Sequence, residues 1–150
     1  VNSIARTTFL AGSALALLAC THQTGAGSIV PEVQNFKQSE CTGDAVNPDE
    51  RMTVEAGAHG LHIEYHDAHF RCDQAVTAHV RVDGAGVSVL VQPVNLHPLT
   101  VSKCDCLYEI EFDIARLAAG SWDVTLDRRW DARHSPNEPV RVGSARVSTR

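Results

Sequence analysis

From Arg51 onward, apolar and polar residues alternate with a period of two. Met52, Val54 and Ala56 alternate with polar neighbours, and Leu61, Ile63 and Tyr65 alternate with His62, Glu64 and His66. Val76, Ala78, Val80 and Val82 are interleaved with Thr77, His79, Arg81 and Asp83. Asp83-Gly84 then reads as a hairpin turn leading into Val87, Val89 and Val91. Tyr108, Ile110, Phe112 and Ile114 alternate with Leu107, Glu109, Glu111 and Asp113, and Trp122, Val124 and Leu126 with Asp123, Thr125 and Asp127. The last run holds Val140, Val142, Ala145 and Val147. Successive side chains of a strand point to opposite faces, so each segment has one apolar and one wet face. The pattern predicts about seven short strands in about 100 residues, an all-β antiparallel sandwich over residues 51–150. The one helical rival, Ala115 to Ala119, is too short to stand alone and reads as a loop or a single turn.

Upstream of this region the pattern changes. Residues 20–50 lack periodic apolar positions and contain Gly25, Gly27, Pro31, Gly43 and Pro48. This composition predicts a tether and entry segment rather than a second domain. Residues 1–20 read VNSIARTTFLAGSALALLAC. Arg6 is followed by an uncharged, Leu- and Ala-rich run that is short for a membrane span and has the shape of a secretory signal, predicted to occupy residues 1–19. It ends Leu17-Leu18-Ala19-Cys20, which resembles a bacterial lipobox. The resemblance implies cleavage before Cys20, lipidation of that cysteine and anchoring to a membrane through its acyl chains. Several chains together hold a protein stably, at about 0.8 kcal/mol per buried CH₂. Thr21 after the cysteine, rather than Asp, favours the outer over the inner membrane by the same analogy.

Two further likenesses follow. Ile114, Leu117, Gly120, Trp122 and Val124 are spaced as in the final strands of many bacterial immunoglobulin-like domains, which implies an immunoglobulin-like sandwich. His66 to Cys72, followed by Cys104-Asp105-Cys106-Leu107-Tyr108, resembles a group of bacterial envelope lipoproteins carrying a C-x-C-x-Y strand. That group has Asn where this chain has Asp67-Ala68, and it supplies no biochemical role.

The formal net charge of -5 removes the electrostatic footprint of a nucleic-acid binder. The sequence lacks G-x-S-x-G, H-E-x-x-H and phosphate-cradling glycine loops, so no enzyme class is indicated. A Cys72–His69 nucleophile pair is disfavoured in an exported chain, where cysteines tend to be bridged. Glu109 and Glu111 fall on a wet face, where acids serve solubility and edge protection.

Counting back from Ile114 by twos reaches Cys106 and Cys104, so a regular strand would aim both sulfurs at the core. Two cysteines at i and i+2 do not readily bond each other, because their side chains run parallel near the upper limit of disulfide reach. With Cys20 lipidated, Cys41 and Cys72 are left as partners for Cys104 and Cys106, in either pairing. Such bridges would close about 32 and about 63–65 residues, each stabilising by about 4 kcal/mol in the chain-entropy model. The alternative is a zinc or copper site built from His66, Cys72, Cys104 and Cys106, with His59, His62 and His69 nearby. Parity opposes it, because His62 and His66 alternate out of phase with the apolar set. A bulge at Asp67-Ala68 would be needed to turn His66 inward. His62, Glu64 and His66 form a wet-face polar row able to hold a metal loosely, while His79, His97 and His134 read as isolated surface or loop residues. Arg128, Arg129 and Trp130 form either a contact loop or a hairpin tip with the tryptophan folded back. The long loop from Pro93 to Lys103 is a second contact surface. The sequence thus predicts a lipid-anchored envelope protein with a non-enzymatic binding or assembly module, an envelope protein as partner and no cofactor.

Overall fold

The structure, a computed structural model, describes residues 30–57 and 60–150. The predicted signal peptide, the lipidation residue Cys20 and His59 lie outside the described residues. Among the described residues nine strands follow one another: β1 (Glu32–Gln38), β2 (Gly43–Asp44), β3 (Arg51–Gly57), β4 (Gly60–Arg71), β5 (Val76–Asp83), β6 (Gly86–Pro93), β7 (Asp105–Ala115), β8 (Gly120–Arg128) and β9 (Val140–Thr149). One sheet has the order β1-β7-β4-β3, with β2 also paired to β7, and the other has the order β5-β6-β8-β9. No helix occurs among the described residues, and Ala115 to Ala119 ends a strand and enters a loop.

The inward residues of the two sheets make the core. β4 supplies Leu61, Ile63, Tyr65, Ala68 and Phe70, and β7 supplies Cys106, Tyr108, Ile110, Phe112 and Ile114. Facing them are Val76 and Ala78 of β5, Val87, Val89 and Val91 of β6, and Val124 and Leu126 of β8. Each large side chain taken fully out of water contributes about 1.5–3 kcal/mol, which is what fixes the register of the strands that carry them. Asp83 pairs with Gly86, closing the predicted hairpin, and Gly84 takes φ 57 in the turn.

Three features differ from the expectation. Among the described residues the sandwich begins at Glu32, inside the segment that the sequence predicts as tether and entry. β1 pairs with β7, Val33 and Phe36 pack against the core, and Phe36 stacks on Phe112 at 5.8 Å between centroids. The strand escapes a period-two reading because its register shifts between Gln34 and Lys37, where Asn35 has φ 53, so its two apolar anchors stand three residues apart. Secondly, β6 and β8 run parallel rather than antiparallel. β7 intervenes in the other sheet, and the two reversals of direction bring β8 back alongside β6 in the same sense. Thirdly, regular alternation stops at Asp105, where the β4–β7 ladder ends opposite Arg71. Cys106 is therefore a core residue while Cys104 is exposed, although both were expected to face inward.

A bulge does occur in β4. Its register against β7 shifts between Tyr65 and Ala68, with Asp67 at φ 52. His66 and Asp67 both stay on the outer side, and Ala68 and Phe70 return to the core. The bulge therefore corrects the phase of Phe70 and leaves His66 outside.

Candidate functional site

The four cysteines pair as Cys41–Cys106 and Cys72–Cys104, with Cα separations of 5.5 and 5.6 Å. Both separations lie in the usual range for bridged cysteines. Thr42 N–H donates to Leu107 O at 2.9 Å and Cys72 N–H to Cys104 O at 3.1 Å, so backbone bonds hold each pair in place. This arrangement disperses the sulfur-based metal set. Cys72 and Cys104 are bonded to each other, Cys106 is bonded to Cys41, and His66 lies on the outer face against Glu109 and Glu64.

Of the candidate contact residues, Arg128 and Trp130 are buried, the tryptophan folded back on the sandwich, and Arg129 is half-buried. Trp130 is 4% exposed and packs edge-on to His69 at 4.9 Å and parallel to His134 at 4.3 Å. The guanidinium carbon of Arg128 lies 5.1 Å from its ring centroid. Arg128 is buried and paired with Glu50 at 2.9 Å, and Arg129 donates to Asn137 O at 3.3 Å. His134, expected to be isolated, is part of this cluster. Burial first, and then the nearby Arg71 and Arg128, hold its pKa below the usual imidazole value. Asp131 is fully buried and accepts from Arg71 Nε at 3.1 Å, Gln74 Nε2 at 3.0 Å and the Arg133 N–H at 2.8 Å. Burial alone would raise its pKa, and these donors outweigh it and hold the carboxyl low. Glu50, Gln74 and Asp131 had no sequence signal, because each sits outside the alternating runs.

The outer face of the five-stranded sheet carries a dense array of imidazoles and carboxylates. β4 contributes His62, Glu64 and His66, and β7 contributes Glu109, Glu111 and Asp113. Register places His62 opposite Asp113 and Glu64 opposite Glu111. His62 Nδ1 lies 2.8 Å from Asp113 Oδ1, and His62 Nε2 lies 3.7 Å from Glu64 Oε1. His66 repeats the arrangement, with Nδ1 2.7 Å from Glu109 Oε2 and Nε2 3.4 Å from Glu64 Oε2. Thr53 of β3 donates to Glu64 at 3.0 Å. Lys37 of β1 pairs with Glu111, and Asn35 donates to Asp113 at 2.6 Å. The bond to Asp113 raises the pKa of His62, and the bonds from Asn35 and then His62 lower that of Asp113. The bond from Lys37 lowers the pKa of Glu111. A depression of about 330 Å³ lies beside Lys37, Glu64, His66, Glu109 and Glu111. The row His62-Glu64-His66 was legible from alternation, but its partners on β7 require the strand register.

The loop between β6 and β7 leaves Val94 65% and Leu99 87% exposed, beside a depression of about 320 Å³ lined in part by Asp73, Asn95 and Pro98. Comparison with family models, with curated proteins and with solved structures finds no match to this chain.

Proposed function

We propose that this chain is a lipid-anchored protein of the bacterial cell envelope whose sandwich is a non-enzymatic binding or assembly module. The observation that carries the reading is the pair of disulfides in a chain whose N-terminal segment ends Leu-Leu-Ala-Cys. Disulfides persist in oxidising compartments, and a lipobox-like segment is the signal that would deliver the chain to one. Acyl chains on Cys20 then hold it at the membrane, the outer membrane being favoured. With Arg128 and Trp130 buried, the contact surface moves to the β6–β7 loop. There Val94 and Leu99 offer apolar side chains to an envelope protein partner.

The test is expression of the full chain in a bacterium fed an alkyne fatty acid. Wild type takes up the label and sediments with membranes, and Cys20→Ala does neither. A photo-crosslinking residue at Leu99 gives a discrete adduct, and one at the exposed His79 of β5 does not. Unlabelled wild-type protein would sink the anchoring half of the proposal, and equal adducts at both positions would sink the binding half.

A further inference from the structure

We propose that the outer face of the five-stranded sheet binds a divalent first-row transition cation, zinc(II) fitting best, through His62 Nε2 and the carboxylates of Glu64 and Glu111. One ligand atom from each of these three residues lies within 4.8 Å of the others. All three stand on paired strands, His62 and Glu64 on β4 and Glu111 directly across on β7, so the ladder sets their spacing. With metal–ligand distances of about 2.0–2.2 Å, a tetrahedral ion holds its ligand atoms about 3.4 Å apart, so binding draws the three side chains toward one another.

The bonds around the triad point the same way. A metal-bound imidazole characteristically gives its other nitrogen to a carboxylate, which fixes the tautomer and raises the basicity of the ligating atom. Asp113 does this for His62, at 2.8 Å from Nδ1, and leaves Nε2 turned toward Glu64. Thr53 orients Glu64 from the third strand. The fourth position is left to water or to His66, whose Nε2 is 3.4 Å from Glu64. A cation also accounts for a pairing that is otherwise unfavourable. Glu64 and Glu111 are direct cross-strand neighbours, and like charges so placed repel. Lys37 offsets part of this through Glu111, so it competes with the metal for the same carboxylate. Imidazole with carboxylates suits zinc(II) and its neighbours rather than calcium, magnesium or copper(I). The sulfurs of Cys41, Cys72, Cys104 and Cys106 take no part, being bonded in pairs. This inference is independent of how the chain is anchored or what its loops bind.

The experiment is calorimetric titration of the purified full chain in detergent with zinc(II), beside absorption spectra with cobalt(II). Wild type takes up zinc saturably, and its cobalt spectrum has ligand-field bands without thiolate charge transfer. His62→Gln and Glu111→Gln each weaken binding by about tenfold or more, and Asp113→Asn, acting through His62, weakens it by about tenfold. Lys37→Met strengthens binding, and His79→Gln on the other sheet leaves it unchanged. Metal-free thermal unfolding of each variant shows that the sandwich is intact. Absence of saturable binding, affinity unchanged in either His62→Gln or Glu111→Gln, or thiolate bands in the cobalt spectrum overturns the proposal.

Discussion

Gly60 has no room for a side chain. A Cβ there would lie 1.9 Å from the carbonyl oxygen of Ile114 and 2.9 Å from its carbonyl carbon. Those are backbone atoms of the central strand β7 and cannot swing aside, and Gly60 is itself paired to Ala115. Gly60→Ala must therefore push β4 away from β7 at the end of their ladder, next to the buried Leu61 and Ile114. The expected loss is about 3 kcal/mol or more, seen as a fall in the urea midpoint at unchanged slope. Gly120→Ala is the control, since nothing lies within 4 Å of a Cβ at that position. It should stay within about 0.5 kcal/mol of wild type. Nothing in the sequence separates these two glycines, because the difference lies in how closely a distant strand approaches. The inward residues of β4 and β7 were legible because burial on one face imposes alternation. For Trp130 the sequence leaves a contact loop and a folded-back tryptophan open, since the neighbours that bury it, His69 and Arg128, come from two different sheets.

Among the elements, β1 is the one whose place depends most on a covalent tie. It is joined to the fold through β7 alone in its sheet, and Cys41–Cys106 closes 65 residues just after it. Replacing both cysteines by alanine, as Cys41→Ala with Cys106→Ala, should cost about 4 kcal/mol on the chain-entropy account. Hydrogen exchange should show where that loss falls. Amides of β1 and β2 lose protection first, while β4 and β6 keep theirs until global unfolding. The Cys72–Cys104 bridge differs, because it closes 32 residues beside an existing ladder between Arg71 and Asp105. Removing it should expose amides of the β6–β7 loop and leave β1 protected. Equal loss of β1 protection from the two removals would show that β1 is held by its apolar contacts instead. The bulge at Asn35 explains why the sequence of this strand reads as tether. Its anchors Val33 and Phe36 are three apart, a spacing that neither a regular strand nor an amphipathic helix of this length would establish. The parallel pairing of β6 and β8 was equally hidden, because alternation along a strand carries no information about the direction of its neighbour.

At the scale of the whole molecule, the buried pair of Glu50 and Arg128 clasps elements of the two sheets at one end of the core. Glu50, just before β3, accepts from Tyr65 O–H, from the His69 N–H at 3.1 Å and from Arg128 Nε at 3.2 Å. Arg128 ends β8 in the opposite sheet, and the two side chains are only 10% and 16% exposed. Burial first, and then the Glu50 charge, push the Tyr65 pKa upward, so the phenol remains a neutral donor to the carboxylate. Glu50→Leu leaves a buried guanidinium and a buried hydroxyl without their acceptor. Loss of one member of a buried pair costs about 3–5 kcal/mol, far more than the pair contributes relative to apolar residues of similar size. Arg128→Leu leaves the carboxylate in the same position and also removes the cation from the Trp130 ring. In the double variant both charges are gone and neither is stranded. Its loss should therefore fall short of the sum of the single losses by about 2 kcal/mol or more, within the range seen for contacting groups. Urea unfolding of the four proteins measures the coupling directly. Additive losses would mean that water reaches the clasp and screens it, so that the charges contribute little to holding the sheets together. Strong coupling would mean that the charges keep the two sheets aligned at this end, where Trp130, His69 and His134 could otherwise pack in more than one way.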